Sequence, residues 1–409
     1  MSVFAPIKRR GYLLIPYALS RMCYACRGSQ NMISDLIKVP GLYIHIPFCL
    51  KKCGYCSFFS VTSLSSIPDF LEALLREMEM VHDPWGPFDT VYIGGGTPSL
   101  LTVKQLESIL TRVQKCFRLL PDSEITLEAN PGDLSLPFLR SLKSIGFNRL
   151  TMGVQSFDQK ILDFLGRRHS LGQAILAIES ARLAGFQNLG FDLIYGIPGQ
   201  NLASWRETVE QALTFLPEHL SCYQLTLEEK TALGQRYRKG EFQLPEEDLQ
   251  YDFFMKTSEW LEEAGYLHYE VSNFAGSLTF ASRHNQKYWN HTPYLGFGPA
   301  AHSFKDGERW WNHASLDQYL ADIEKGRSPV EKKENLTIEQ LRLEALFLGL
   351  RTKRGISLQE FIRQYHSDLL FEKKEVIGHL ERQGFLSIQN GHLVPTRAGL
   401  AVADSLALI

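Results

Sequence analysis

Three thiols crowd one short loop of this chain. Cys49-Leu50-Lys51-Lys52-Cys53-Gly54-Tyr55-Cys56 has Cys-x3-Cys-x2-Cys spacing. Thiolates at such spacing suit iron–sulfur ligation. Four would complete the shell of a cubane; three leave one iron open to a ligand that is not protein. Structural zinc prefers four ligands, and core cysteines would not crowd a glycine-bearing loop, so both are weaker readings of the same residues. A second run, Gly94-Gly95-Gly96-Thr97-Pro98, lets a ligand approach the main chain without Cβ interference. Alone it marks a turn, but at the end of the strand that follows the cysteines it reads as part of the same site.

Such residues need a scaffold that brings them together. From Gly41 onward short apolar runs alternate with amphipathic stretches, the pattern of strands joined by helical crossovers in a parallel sheet. Strands are predicted near 42–46, 90–93, 124–127, 149–154, 189–194 and 220–225, with helices over 70–81, 103–116, 204–215 and 249–264. Six such units predict an α/β fold, a partial (β/α)6 TIM-like barrel. The cysteines follow the first strand and the glycines the second, Glu128 ends the third, Gln155 ends the fourth, and Asp192 lies in the fifth. Barrel enzymes collect their chemistry at the carboxyl ends of strands, so these positions converge on one mouth.

After about Pro299 the pattern predicts helices with few strands. Helices are expected over 341–350, 358–365 and 371–383, then a hairpin of 385–388 and 393–395 turning at Asn390-Gly391. This is a mostly helical, winged-helix-like accessory domain, and without a basic recognition face its expected role is packing rather than nucleic-acid binding. The expected organisation is an N-terminal extension over 1–40, a core over 41–275, a connection over 276–330 and the accessory domain over 331–409.

Composition bounds the partners. The chain has 409 residues, 44% of them hydrophobic, with 43 basic against 45 acidic residues and a formal charge of −2. No whole-protein field draws it to nucleic acid or a membrane surface. No apolar run approaches the roughly 20 residues of a membrane span. Seven cysteines, an odd number, fit metal ligation and free core thiols better than a disulfide framework, and the expected location is cytoplasmic. The first forty residues differ. Lys8, Arg9, Arg10, Arg21 and Arg27 precede the first acid, Asp35, as in an organellar presequence, while Met32 offers an alternative start that leaves Cys23 and Cys26 as bystanders.

The cysteine spacing with Tyr55 before the third cysteine resembles the signature of the radical S-adenosylmethionine (SAM) superfamily. The resemblance implies a 4Fe-4S cluster on Cys49, Cys53 and Cys56, whose open iron chelates SAM, and an electron donor that reduces it to release a 5′-deoxyadenosyl radical. Tyr43-Ile44-His45-Ile46-Pro47-Phe48, Leu127-Glu128-Ala129-Asn130-Pro131, Met152-Gly153-Val154-Gln155-Ser156-Phe157 and Phe191-Asp192-Leu193-Ile194-Tyr195-Gly196 look like motifs of one branch. That branch contains oxygen-independent coproporphyrinogen III oxidase and the heme chaperone HemW, and the likeness runs from Gly41 to the C-terminus. It implies SAM contacts at Tyr43, Gly95, Gly96, Thr97, Glu128, Gln155, Arg167 and Asp192. By themselves Glu128 and Asp192 also read as strand-end caps, and Arg168 adjoins Arg167.

Two departures point to the HemW side of the branch. Phe58 stands where the oxidase carries a fourth cysteine, and the oxidase's longer N-terminal segment is lacking. His284-Asn285-Gln286-Lys287-Tyr288-Trp289 matches a motif associated with heme: imidazole is a natural iron ligand, and Tyr288 and Trp289 offer aromatic surface. Read without the resemblance, that histidine is packed or hydrogen-bonded. His302, in Gly298-Pro299-Ala300-Ala301-His302, is a second heme candidate, and His45 is expected to support the cluster loop. The leading expectation is a chaperone that passes heme to an acceptor such as a respiratory-chain protein. Oxidative decarboxylation of coproporphyrinogen III is the enzyme alternative, and a radical reaction on an unrelated substrate is the third.

Overall fold

A computed structural model describes residues 38–82 and 85–406. The basic residues before Asp35, Cys23, Cys26 and Met32 lie outside the described residues. Six strands form the parallel centre: β1 (Gly41–Ile46), β2 (Phe88–Gly95), β3 (Leu119–Ala129), β4 (Arg149–Gln155), β5 (Leu189–Tyr195) and β6 (His219–Gln224). They pair in chain order. The crossovers are α1 (Ile67–Glu79), α2 (Val103–Cys116), α3 (Leu136–Ser144), α4 (Gln159–Leu165), α5 (Leu171–Leu183) and α6 (Leu202–Thr214). α7 (Ala232–Arg238) and α8 (Glu247–Glu263) follow β6. Local chemistry fixes their starts. Thr102 caps α2 in a reciprocal pair with Gln105, and Ser170 does the same for α5 with Gln173.

Period-two alternation sorts the side chains. Leu42, Ile44, Val91, Ile93, Leu127, Leu150, Phe191 and Leu220 are buried in the core that α1 to α8 cover. Their strand neighbours Tyr43, Tyr92, Glu128, Thr151, Asp192 and Ser221 take the opposite, inner face. Burying each aliphatic side chain contributes about 1.5–3 kcal/mol, so register is strongly held and the polar set is held inward with it.

The chain then departs from its sequence pattern. β7 (Leu267–Glu270) and β8 (Asn273–Ala275) pair antiparallel beyond β6, and a short helix, α9 (Arg283–Trp289), leads to β9 (Tyr294–Phe297), which pairs parallel with β1. β10 (His302–Lys305), β11 (Glu308–Asn312) and, after α10 (Leu316–Glu324), β12 (Val330–Asn335) extend that edge antiparallel. The result is a 12-stranded sheet. The expectation of helices with few strands after Pro299 is therefore corrected. Asp306-Gly307, with φ of 50° and 81°, makes the two-residue turn between β10 and β11. The charged Val330–Asn335 strand is a polar edge of the kind that discourages further pairing, which hides it from an apolar pattern.

The C-terminal part matches its winged-helix-like expectation. α11 (Ile338–Gly349), α12 (Leu358–Tyr365), α13 (Leu369–Glu372) and α14 (Lys374–Arg382) surround a core of Leu346, Leu350, Phe361, Leu369 and Ile377. β13 (Ile356–Ser357) pairs with the hairpin of β14 (Leu386–Gln389) and β15 (His392–Pro395). Asn390 and Gly391 turn the hairpin at φ of 49° and 76°. The helix expected over 371–383 is broken at Lys373, where Asp368 caps a separate first turn.

Candidate functional site

The cysteine loop leaves the carboxyl end of β1 and is pinned by main-chain bonds. Val61 N–H donates to Pro47 O at 2.7 Å and Cys49 N–H to Val61 O at 3.0 Å. Gly54 N–H donates to Leu165 O at 3.2 Å, and Gly54 O accepts from Leu233 N–H at 2.8 Å. His45 is buried beneath the loop, with Nε2 2.9 Å from Phe59 O and Nδ1 3.1 Å from the Tyr43 hydroxyl. Burial pushes its pKa down to about 4, so the ring is neutral. A carbonyl only accepts, so Nε2 carries the proton and Nδ1 accepts from Tyr43.

Polar groups close on the sulfurs from two sides. Thr97 Oγ1 lies 3.4 Å from Cys49 Sγ, and Arg167 Nη1 lies 3.3 Å from Cys53 Sγ and 3.4 Å from the Tyr55 hydroxyl. Arg167 Nη2 donates to Gly153 O at 2.7 Å, while its buried Nε has no partner among the described residues. Arg168 turns away to pair with Asp133, so Arg167 is the one that faces the cysteines. Burial raises the Cys56 thiol pKa, a penalty that a metal centre relieves. Among the described residues no three His, Cys, Asp or Glu side chains stand close enough to hold one metal ion.

The glycine run abuts this loop. Gly95 adopts φ of 108°, a region open to glycine, and donates its N–H to Glu128 Oε2 at 3.1 Å. A Cβ on Gly96 would come within 2.7 Å of Phe48 O, and Gly96 N–H donates to Ile46 O at 2.8 Å. Glu128 also accepts from the Tyr92 hydroxyl at 2.7 Å. Burial raises the Glu128 pKa to about 7, against the pull of Tyr92, and raises that of Asp192 to about 6, against the Ser221 hydroxyl. Both acids line a polar cavity of about 50 Å³ with Tyr92, Arg149, His219 and Asn285. Gln155 ends β4 at φ of 69°, beside a bulge against β5. Tyr43, Gly95, Gly96, Thr97, Glu128, Gln155, Arg167 and Asp192 therefore gather on the inner face and carboxyl ends of β1 to β5.

Residues 43–212 match the radical SAM superfamily, and residues 336–402 match the HemN C-terminal domain. Heme chaperone HemW of Lactococcus lactis is 37% identical over 342 residues, spanning 83% of this chain and 88% of the relative. The chain belongs to the HemW family of radical SAM proteins. HemW of Bacillus subtilis is 34% identical, covering 89% of this chain and 97% of its own. A mouse relative, radical S-adenosyl methionine domain-containing protein 1, mitochondrial, is 33% identical across 90% and 86%. The solved Escherichia coli coproporphyrinogen III oxidase HemN shares the fold, with a TM-score of 0.79 at 22% identity over 91% of this chain and 90% of that one. Among the described residues no helix is long and apolar enough to cross a membrane.

In this HemW-family chain the His-Asn-x-x-Tyr-Trp segment forms α9, which covers the amino ends of the central strands. Glu124 of β3 accepts from the N–H groups of Arg283 and His284, both at 3.3 Å, and Lys287 Nζ reaches Val39 O at 2.8 Å and Asp89 at 2.6 Å. His284 is 1% exposed, stacked on Tyr92 and Tyr43. Its Nδ1 lies 2.8 Å from Thr90 Oγ1 and its Nε2 2.9 Å from the Tyr288 hydroxyl. Both ring nitrogens are thus engaged, and burial lowers the pKa to about 3. The imidazole expected to face a porphyrin is turned into the lumen, the bland packed reading of the motif. Asn285 faces the cavity shared with Glu128 and Asp192, and Trp289 stacks under Arg351. Thr90 and Gly95 are five residues apart on β2, which separates His284 from the cysteine mouth by roughly 15 Å of strand. Sequence reasoning missed Tyr92, Thr90, Glu124 and Arg149. Period-two alternation back from Gly94 was the available signal for Tyr92.

Proposed function

We propose that this protein is a radical SAM-type heme chaperone, which holds a 4Fe-4S cluster on Cys49, Cys53 and Cys56 and SAM on the inner face above them, and passes heme to acceptor proteins. A cubane joins each thiolate to a different iron, so its cysteines stand wider apart than the ligands of a single ion. When bound, the cluster and SAM supply one-electron cleavage of the sulfonium and a deoxyadenosyl radical. The chain's own groups orient and hold charge. Arg167 sets a guanidinium beside Cys53 Sγ, Glu128 and Asp192 offer acceptors suited to ribose hydroxyls, and Gly95 and Gly96 bring bare backbone to the mouth. Tyr43, Thr97 and Gln155 complete the proposed SAM set.

Phe58 carries the choice of chaperone over oxidase. It stands two residues after Cys56, 68% exposed, where the oxidase-type loop has a fourth cysteine, and relatives at 34–37% identity are named heme chaperones. Heme as cargo, an electron donor and a respiratory-chain acceptor belong to this reading, as does a cytoplasmic location, which a processed N-terminus in the mass of the mature chain would replace with an organellar one. The deciding test is anaerobic incubation of cluster-loaded protein with SAM, reductant and coproporphyrinogen III, beside a heme titration. A saturable Soret change without protoporphyrinogen is expected. Formation of protoporphyrinogen would give the oxidase reading the site instead.

A further inference from the structure

The motif Gly298-Pro299-Ala300-Ala301-His302 finds no place in the site described so far, yet strand register sets its histidine level with Tyr43 and Tyr92 on the inner face. Tyr92 pairs with Tyr43 across β2 and β1, and Tyr43 pairs with Gly296 across β1 and β9. Phe304 opposes Tyr294 in the antiparallel β9–β10 pair, so two residues along each strand His302 opposes Gly296. His302 opposes Trp311, and Trp311 opposes Lys332. One row of the inner face, at the height of Tyr43, thus reads Tyr92, Tyr43, Gly296, His302, Trp311, Lys332. Gly296 places no side chain between Tyr43 and His302, and a Cβ there would meet the His302 carbonyl oxygen at 2.2 Å.

The histidines of this face differ in what they have left to offer. Both nitrogens of His45 and of His284 are engaged inside the fold, and His219, with Nε2 on the Tyr269 hydroxyl and Nδ1 unpartnered among the described residues, is buried. His291, beside β9, is held near Tyr365 and Glu344. His302 is exposed, and its ring makes no hydrogen bond among the described residues. Its ring stacks on Trp311 with centroids 5.5 Å apart at 23°, which fixes the plane of the imidazole. An axial imidazole stands perpendicular to a porphyrin, so Trp311 orients the ligand rather than serving as the platform. Lys332, next in the row, is exposed and makes no ion pair among the described residues, whereas Arg309 one level down is committed to Glu344 and Glu334. A ring nitrogen that is free, beside an exposed cation, fits an iron porphyrin with acidic side chains.

We propose that His302 is the axial ligand of the heme iron, oriented by Trp311, with Lys332 meeting a propionate, on the inner face of the β10–β12 edge of the sheet; this rests on the heme-chaperone reading. Partial burial and nearby Arg309 lower the pKa of the ring, which keeps it neutral and ready for iron at pH 7.

The test titrates cluster-loaded wild-type protein and its His302→Ala, His302→Gly and Trp311→Ala variants with hemin, reading the Soret band and the electron paramagnetic resonance of the heme iron. His302→Ala is expected to weaken binding about tenfold or more and to lose the nitrogen-ligated heme signal, and exogenous imidazole restores that signal in His302→Gly. Trp311→Ala is expected to broaden the signal by freeing the ring. Unchanged affinity and spectrum in His302→Ala, or a loss that imidazole does not restore in His302→Gly, would overturn the ligand assignment while leaving the chaperone reading in place. Wild-type protein that takes up no heme saturably would sink that reading, and this assignment with it.

Discussion

Tyr92→Phe removes one oxygen atom and isolates what the inner face does to Glu128. The Tyr92 hydroxyl donates to Glu128 Oε1 at 2.7 Å inside a buried site. Burial is the largest influence on this carboxyl and raises its pKa to about 7; the neighbouring Asp192 charge adds to the rise, while Tyr92 and the Gly95 N–H oppose it. A hydrogen bond to a charged group contributes about 1.5–3 kcal/mol, and about 1.4 kcal/mol is a tenfold change in proton affinity. Losing the hydroxyl therefore raises the proton affinity of Glu128 by about ten- to hundredfold. The sign follows: the carboxylate form, which accepts from the ligand, prevails above the folded pKa and is lost as pH falls through it. Wild-type affinity for SAM should fall as pH drops through about 7. In Tyr92→Phe the same fall should lie at least about one pH unit higher, with affinities converging in alkali. Equilibrium dialysis of SAM against cluster-loaded protein across that range measures both curves. Superimposable curves would refute the reasoning, because a purely structural loss lowers affinity at every pH without moving the midpoint.

Two further outcomes follow from close approaches. Gly96→Ala places a methyl within 2.7 Å of Phe48 O and 2.9 Å of Ile46 O, both main-chain atoms, so the cysteine loop must move. That overpacking costs about 1–3 kcal/mol, and iron bound per chain after reconstitution should fall while far-ultraviolet circular dichroism is unchanged. Glu77→Ala strips the acceptor from three buried donors: Gly298 N–H at 2.8 Å, Asn312 Nδ2 at 2.6 Å and the Tyr319 hydroxyl at 2.7 Å. Urea denaturation should show a loss of about 3–5 kcal/mol, since those donors are left unpaired between α1, α10 and the turn after β9.

Much of the scaffold was legible because the central strands carry two simple signals. Leu42, Ile44 and Val91, Ile93 alternate with polar partners, and each run is followed by a helix with apolar spacing. Asn390-Gly391 marked its hairpin for the same local reason. The antiparallel extension was not legible as apolar pattern, since β12 reads Val-Glu-Lys-Lys-Glu-Asn and only Asp306-Gly307 announced the β10–β11 turn. At the site, spacing grouped the cysteines and glycines, but depth is a tertiary property. The motif made His284 a candidate ligand, yet Tyr288, one helical turn on, and Thr90, on a strand that spacing does not relate to it, occupy its two nitrogens. The same holds for Arg167 against Arg168, where a carboxylate 35 residues away, Asp133, decides which guanidinium turns to the sulfurs.

α9 lies across the amino ends of β2 and β3 through Glu124 and Asp89, while Gly95, beside the cysteine loop, holds Glu128 from the carboxyl side. One cavity thus takes its walls from a helix at one end of the strands and, through Glu128, from a glycine run at the other. A guest bound beside the cysteine loop that slows exchange from this cavity need not touch what the cavity holds, so a change in residence time is no proof of energetic coupling between them. Equilibrium affinities and exit rates, measured separately, tell a blocked path from linked binding.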